Sequence, residues 1–304
     1  MMKTVPFGST GVHISPLCFG SLPFSPLQGY TGGTERAGAV LTRAFELGVN
    51  FIDTAQLYGN YAALRSKHSF VYASKTYAHT REGAAAAVEE ARRGLDRDVI
   101  DLFLLHEQES EHTLRGHAPA LEELYRLKAK GVLRAVGLSS HHVSGVWAAV
   151  RAGLDAVHPL LNMAGLGIAD GSREEMEQAV AAASDAGLGV YVMKALGGGH
   201  LFRRAQEALT YASRFGHSLA LGMRDIAEVE AAAAFFQTGG LPVLKEPAPR
   251  SLHIAEWCGG CGRCAAACPS DALAVINGKA RPQTGCVLCG YCGAACPEFC
   301  IKVV

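Results

Sequence analysis

Residues 258–269 read CGGCGRCAAACP, and residues 286–297 read CVLCGYCGAACP. Each stretch spaces four cysteines as C-x2-C-x2-C-x3-C and follows the fourth cysteine with a proline. Nine of the chain's ten cysteines lie from residue 258 onward. A spacing this regular, repeated once, indicates a small metal-binding unit in the C-terminal part of the chain.

The spacing is that of bacterial domains with two [4Fe–4S] clusters, in which the fourth cysteine of each run ligates the other cluster. We therefore predict that cluster 1 is held by Cys258, Cys261, Cys264 and Cys296, and cluster 2 by Cys286, Cys289, Cys292 and Cys268. The alternatives fit less well, because zinc ribbons use pairs of C-x2-C and disulfide scaffolds need an oxidising compartment. The tail, over residues 250–304, resembles a bacterial two-cluster ferredoxin.

Two cysteines fall outside these runs. Cys300 aligns with Ala272 in the internal repeat, and Cys18 lies in an apolar segment near the start of the chain. Free cysteine behaves as a small hydrophobic residue. We predict that both side chains are packed in the interior.

The composition argues against two classes of protein, those that bind nucleic acid and those that bind anionic membranes. The 304 residues are 49% hydrophobic and 18% charged, with a formal net charge of zero. Neither nucleic acid nor an anionic membrane is an expected partner, because both call for a basic surface. The first residues lack the features of a signal peptide, and no apolar stretch reaches the length of a membrane span. We expect a cytoplasmic protein.

Residues 1–238 alternate between short apolar segments and amphipathic helical segments. The apolar segments are LCFGSL, VNFIDTA, FVYASKT, IDLFLLH, RAVGLSS, DAVHPLLN, GVYVMKA and SLALGM. Apolar strands separated by helices indicate a parallel sheet covered by helices, and eight such units favour a closed (β/α)8 barrel of the TIM type. A doubly wound sheet is the alternative, but no G-x-G-x-x-G follows the first strand. We predict this barrel over 1–238, a linker over 239–256 and the iron–sulfur domain over 257–304.

Polar residues follow three successive predicted strands, where barrels of this type place their chemistry. Asp53, Lys75 and His106 end these strands, and Tyr58 lies in the loop after Asp53. A carbonyl that is being reduced develops negative charge on oxygen and needs a proton, which a tyrosine can supply. A nearby lysine lowers the tyrosine pKa, an aspartate can hold the lysine, and a histidine can hydrogen-bond the substrate oxygen. Each residue alone also fits a structural role; their convergence predicts an active site.

These residues resemble a known catalytic tetrad. FIDTAQLYGN, the lysine of YASKT and the histidine of LFLLH are similar to the aldo-keto reductase family, and GVHISPLCFG, AVGLSS, MKALGGG and GMRDIAEVE extend the resemblance over nearly the whole barrel. The resemblance implies a carbonyl substrate and Tyr58 as general acid. It also implies a set of cofactor-binding residues: Ser139, Ser140, His158, Lys194, Gly197, Gly198, Gly199 and Arg224. The glycines themselves fit either a phosphate contact or a plain turn.

The chain departs from the family where the nucleotide binds. The family takes hydride from NADPH and offers a basic residue and an amide after strand eight; the matching positions here are Glu228 and Ala232. A glutamate repels a 2′-phosphate, and Arg224 is the remaining cation for a phosphate. Ser139-Ser140 replace the family's Ser-Asn, and His158 replaces its glutamine. These departures argue against NADPH and less strongly against NADH, and no motif indicates a flavin.

Three hypotheses follow, because iron–sulfur clusters carry single electrons whereas nicotinamides carry hydride. In the first, the chain reduces a carbonyl or conjugated small molecule with electrons relayed through the clusters, which leaves room for a redox protein partner. In the second, it is an NAD(P)H-dependent reductase whose clusters are structural or redox-sensing. In the third, it is an electron-transfer or docking subunit with a vestigial barrel site. The intact tetrad counts against the third.

Overall fold

The computed structural model describes residues 2–28, 30–242, 251–286, 288–298 and 300–303. The chain divides into two compact units. One comprises Met1–Ala195 and Gln206–Pro242, and we call it the barrel unit. The other comprises Leu196–Ala205 and Val243–Val304, and we call it the cysteine-rich unit.

Eight parallel strands of the barrel unit close on themselves. They are β1 (Leu17–Gly20), β2 (Phe51–Asp53), β3 (Val71–Thr76), β4 (Ile100–Leu105), β5 (Leu133–Ser140), β6 (Ala156–Pro159), β7 (Gly189–Val192) and β8 (Ser218–Gly222). The last strand pairs with the first, with Leu219 opposite Leu17. Each predicted apolar segment overlaps one of these strands, and the prediction of a (β/α)8 barrel is confirmed.

The helices of the barrel follow the strands in the chain. They are α1 (Gly33–Glu46), α2 (Arg81–Leu95), α3 (Glu111–Gly116), α4 (Ala118–Ala129), α5 (Val143–Arg151), α6 (Arg173–Asp185), α7 (Ala205–Ala212) and α8 (Ile226–Thr238). Helix α2 shows why the sequence folds this way. Thr80 caps its start by accepting a hydrogen bond from Gly83, and its small apolar residues recur at helical spacing and form the buried face.

The barrel interior is apolar at one end. All six residues of β4 are buried, as expected for a parallel strand covered on both faces. Phe7 follows the first strand of a hairpin, Val5–Pro6 paired with His13–Ile14, and its ring lies 6.0 Å from those of Phe51 and Tyr191. This packing fills the barrel around the start of β2.

Gly137 allows β5 and β6 to approach. A Cβ atom there would lie 2.0 Å from the carbonyl oxygen of Ala156. We predict that Gly137→Ala lowers the free energy of unfolding by about 1–3 kcal/mol, the usual cost of overpacking. The measurement is urea unfolding of the barrel followed by circular dichroism.

The control is Gly38→Ala, within α1. A Cβ atom at Gly38 meets no atom within 4 Å in the described residues, so alanine there is expected to add up to about 1 kcal/mol through its higher helix propensity. Equal unfolding midpoints for the two variants would show that the strand contact does not require glycine.

The cysteine-rich unit contains two small antiparallel sheets. In one, β9 (Leu252–Ile254) pairs with β12 (Ile301–Val303), and in the other, β10 (Leu273–Ile276) pairs with β11 (Lys279–Pro282). Two four-residue helices, α9 (Arg263–Ala266) and α10 (Tyr291–Ala294), each follow a glycine with left-handed φ. The two cysteine runs thus adopt the same local structure.

The predicted linker, 239–256, overlaps this unit. Strand β9 lies within it and pairs with β12, while residues 243–250 lie outside the described residues. The segment Leu196–Ala205, which follows β7 in the chain, also groups with the cysteine-rich unit. Sequence analysis placed that segment within the barrel.

In the part of the chain that the structure describes, no helix combines the length and the apolar character needed to cross a membrane.

Candidate active site

The four predicted tetrad side chains lie together in the barrel unit. Lys75 Nζ lies 2.8 Å from each carboxylate oxygen of Asp53, and both side chains are buried. The same ammonium is 5.1 Å from the centre of the Tyr58 ring. The rings of Tyr58 and His106 are 6.1 Å apart, edge to face. Because the residues come from neighbouring strand ends, the barrel itself positions the cluster.

Buried polar groups hold the loop that carries Tyr58. The turn Gln56–Tyr58 ends at Gly59, whose φ of 62° is left-handed and favours glycine. Ser25 Oγ donates to the Tyr58 carbonyl at 2.6 Å. Asn60 donates to the Ser21 carbonyl and accepts from the Thr54 hydroxyl, both at 2.8 Å. These bonds tie the Tyr58 loop to the residues that follow β1 and β2.

Burial and charge act in opposite directions on the Lys75 and Tyr58 side chains. Burial lowers the pKa of Lys75, but the Asp53 carboxylate raises it, and the pKa ends above its usual value. Burial raises the pKa of Tyr58, and the Lys75 ammonium opposes this only in part. The Lys75 charge lowers the pKa of Tyr58, as expected from the sequence, but the net pKa is raised because burial outweighs this charge. The phenol therefore keeps its proton at neutral pH.

His106 is a neutral hydrogen-bonding group. Burial, together with the Lys75 charge, lowers the pKa of its imidazole to about 2. Its ring stacks on Tyr77, with centroids 4.4 Å apart. Its Nδ1 atom is buried and has no hydrogen-bond partner among the described residues. A neutral imidazole can donate a hydrogen bond to a substrate oxygen without carrying charge.

Tyr191 belongs to this cluster, although no sequence motif marks it as a site residue. Its hydroxyl donates to Asp53 Oδ1 at 2.8 Å from the fully buried strand β7. His158, predicted as a cofactor contact, stacks on the Tyr191 ring at 3.8 Å, and its Nε2 lies 3.8 Å from the same carboxylate oxygen. The sequence does contain a clue to this role, because Tyr191 lies inside the apolar run GVYV and a buried hydroxyl group needs a hydrogen-bond partner.

Ser139 and Ser140, predicted to contact the cofactor, hold the loop after His106. Ser139 Oγ accepts from the Glu107 amide at 2.9 Å, and Ser140 Oγ donates to the Gln108 carbonyl at 2.6 Å. Glu107 has a φ of 50°, unusual for a residue with a side chain. The two hydroxyl groups stabilise this strained turn.

The predicted phosphate-binding glycines have a close protein neighbour. Gly197–Gly199 lie in the cysteine-rich unit and have left-handed φ angles. A Cβ atom on Gly198 would lie 2.4 Å from the Tyr291 ring, and one on Gly199 would lie 3.6 Å from Cys289 Cα. Close approach to Tyr291 accounts for glycine at 198, whereas at 199 the positive φ of 103° favours glycine. Lys194, just before this segment, has a φ of 61°.

The start of α8 carries a carboxylate where the family has a cation. Glu228 accepts a hydrogen bond from the Arg224 amide at 2.6 Å, and its own amide donates to Asp225 at 2.9 Å. Both bonds satisfy amides at the start of a helix. Ala232 is buried. Glu228 is thus part of the helix cap, and its charge disfavours a phosphate there.

The eight repeat cysteines line two cavities in the cysteine-rich unit. One cavity is lined by Cys258, Cys261, Cys264 and Cys296, and the other by Cys268, Cys286, Cys289 and Cys292. These are the two predicted ligand sets. All ten cysteines are free of disulfides, and no three His, Cys, Asp or Glu side chains in the described ranges converge on a single ion. Sets of four separated thiols fit a cluster, in which each iron takes one thiolate.

Backbone amides point at the sulfur atoms in these cavities. The Ala272 amide donates to Cys268 Sγ at 3.3 Å, and the Ala280 amide donates to Cys258 Sγ at 3.5 Å. Hydrogen bonds to sulfur stabilise the thiolate form that binds iron. Cys300 and Cys18 are both buried, as predicted.

The chain belongs to the aldo/keto reductase family, whose model matches residues 16–230. A second family model, the 4Fe-4S dicluster domain, matches residues 251–298. The chain therefore combines an aldo/keto reductase domain with an iron–sulfur domain toward its C-terminal end.

Comparison with individual proteins agrees with this assignment. The uncharacterized oxidoreductase YqkF of Bacillus subtilis is 29% identical over 46% of this chain and 49% of its own length. L-galactose dehydrogenase of Arabidopsis thaliana is 26% identical over 43% of this chain and 46% of its own. The chain spans about half the length of these curated relatives. The aldo-keto reductase AKR11C1 from Bacillus halodurans, in its holo form, has the same fold: the TM-score is 0.63 at 21% identity, over 81% of this chain and 93% of that chain.

His158 gives a pH-dependent prediction. Burial lowers the pKa of its imidazole to about 4, so the unfolded chain takes up a proton near pH 6.5 before the folded chain does. Stability is therefore lost as pH falls from about 6.5 toward 4, at up to about 1.4 kcal/mol per pH unit from this group. We predict that His158→Gln makes the pH dependence shallower.

The measurement is the urea midpoint of barrel unfolding at pH 7, 6 and 5. The control for loss of an imidazole is His112→Gln, on an exposed residue of α3. A pH dependence as steep in His158→Gln as in the unmodified chain would show that this imidazole is not held neutral by burial.

Proposed function

We propose that the barrel reduces a carbonyl or conjugated small molecule with Tyr58 as general acid, and that electrons are relayed through two [4Fe–4S] clusters. The observation that carries the proposal is the coexistence of two features. The barrel holds a buried aspartate–lysine pair beside Tyr58 and a neutral histidine. The cysteine-rich unit holds two separate cavities, each lined by four thiols.

The reduction of a carbonyl to an alcohol consumes two electrons and two protons. Tyr58 donates one proton to the oxygen, and solvent supplies the proton that reaches carbon. The Lys75 ammonium then stabilises the phenolate that remains, while Asp53 keeps that ammonium charged and in place. His106, being neutral, hydrogen-bonds the oxygen as negative charge develops there.

The cysteine sets would hold the clusters, which when bound supply electrons one at a time. The electrons come from an external donor, for which a redox protein partner is the natural candidate. The described contacts support this route over a nicotinamide. Glu228 places a carboxylate in the cap of α8, and the glycines after β7 approach Tyr291 and Cys289. Both features weaken the nucleotide site that the family resemblance implies.

A second candidate is an NAD(P)H-dependent reductase whose clusters are structural or redox-sensing. Family membership favours it, because aldo-keto reductases typically use these nucleotides. It shares the tetrad chemistry with the first proposal. The two differ only in the source of the electrons, which a binding experiment can decide.

Tyr58→Phe tests the acid role. Removing the hydroxyl while keeping the ring is expected to lower the rate by about a hundredfold or more, the usual contribution of general acid catalysis. The assay follows anaerobic reduction of a panel of small aldehydes and ketones, with reduced methyl viologen as electron donor. Tyr125→Phe, on α4, is the matched control and should keep the full rate. An equal rate in both variants would exclude Tyr58 as the acid.

Anaerobic titration with NADPH and NADH, followed by nucleotide fluorescence, tests the electron source. We expect no saturation up to millimolar nucleotide, because the phosphate and amide contacts of the family are altered here. Saturation at micromolar NADPH or NADH would contradict the cluster route and favour the second candidate. The titration uses protein that retains its iron, so that the result applies to the chain with its clusters in place.

A further inference from the structure

The two halves of the cysteine-rich unit can be compared position by position. Cys268 Sγ accepts a hydrogen bond from the amide of Ala272, four residues later, at 3.3 Å. Cys296 Sγ accepts one from the amide of Cys300, also four residues later, at 3.3 Å. The backbone around the fourth ligand of each run is therefore the same. The side chain at the equivalent position differs: a methyl group in one half and a thiol in the other.

Cys300 sits at the edge of one cavity only. It is 2% exposed and lines the cavity of Cys258, Cys261, Cys264 and Cys296. Its side chain belongs to the same buried cluster as Cys264 and Cys296, with Cys258 packed against that cluster, and its thiol donates to the Glu298 carbonyl oxygen at 3.7 Å. The four predicted ligands already complete this set, so Cys300 is a neighbour of the cluster and not needed as a ligand.

We propose that the Cys300 thiol donates a hydrogen bond to the ligand sulfurs of cluster 1 and makes this cluster easier to reduce than cluster 2. A sulfur bound to an iron–sulfur cluster carries negative charge. A charged acceptor holds a donor more strongly than a neutral carbonyl does, so the thiol proton turns from Glu298 to the sulfurs. Reduction adds further negative charge, and the hydrogen bond stabilises the reduced cluster more than the oxidised one.

The inference rests on the two-cluster part of the proposed function and not on electron delivery to the barrel. At cluster 2 the methyl group of Ala272 offers no donor, although the backbone amide is the same. When the protein takes up a single electron, the electron should therefore reside on cluster 1. Cys300 is a positioning residue in this scheme, because it acts through the ligand sulfurs.

The test is an anaerobic redox titration of the full chain, followed by electron paramagnetic resonance, with no substrate present. Cys300→Ala is expected to lower the higher of the two midpoint potentials and leave the other unchanged. Ala272→Cys is expected to raise the lower one, because it places a thiol beside cluster 2. Cys300→Ser retains a donor and should stay close to the unmodified chain. Cys18→Ala, which removes a buried thiol from the barrel unit, is the control.

Iron content separates the possible results. The proposal requires about eight iron atoms per chain in every variant, the content of two [4Fe–4S] clusters. Unchanged potentials in Cys300→Ala with full iron would overturn it. Loss of about half the iron in that variant would also overturn it, because Cys300 would then be a ligand. If the Cys300→Ala variant does not assemble its clusters, the Ala272→Cys variant decides the question alone. An unchanged value of the lower midpoint potential in Ala272→Cys would contradict the proposal. None of these outcomes depends on whether the barrel has catalytic activity.

Discussion

The buried ion pair between Asp53 and Lys75 is the interaction on which the candidate active site depends. Two charges removed from water cost several kcal/mol each, and the pair recovers this only with good geometry and further hydrogen bonds. Here Lys75 contacts both carboxylate oxygens and the Thr54 carbonyl, and Tyr191 donates to the carboxylate. Such a pair adds little net stability compared with apolar packing. Its value is the fixed positive charge that it places beside Tyr58.

That fixed charge acts together with burial on the protonation states around it. Burial keeps His106 neutral, and the Lys75 ammonium adds to this effect. It also limits how far burial raises the Tyr58 pKa. A phenol and a neutral imidazole thus lie within one cluster, with the His106 side chain buried and the Tyr58 side chain partly buried. Burial disfavours the charged form of each side chain, which is the phenolate for Tyr58 and the imidazolium for His106. Burial therefore raises the pKa of Tyr58 and lowers the pKa of His106.

The barrel can be predicted from the sequence, and so can the proximity of the Asp53, Lys75, His106 and Tyr58 side chains, because both follow from a regular pattern. Eight apolar runs separated by helices have few other solutions, and Asp53, Lys75 and His106 stand out because each ends such a run. The contact of Tyr191 with Asp53 is harder to predict from the sequence. Asp53 lies 138 residues away from Tyr191 in the chain, and only the closed sheet brings the two together. The direction of the Tyr58 pKa was also out of reach, since it depends on the balance between burial and one charge, and no sequence pattern encodes burial at that resolution.

The glycines after β7 show a further limit of sequence reasoning. A run of glycines indicates that something approaches the backbone closely, but it does not name what approaches. Family resemblance favoured a phosphate, whereas the structure places the Tyr291 ring and Cys289 beside Gly198 and Gly199. The segment Leu196–Ala205 groups with the cysteine-rich unit, where His200 also hydrogen-bonds Ser270. The contact between Gly198 and the Tyr291 ring therefore gives a physical reason for glycine at this position that involves no nucleotide phosphate.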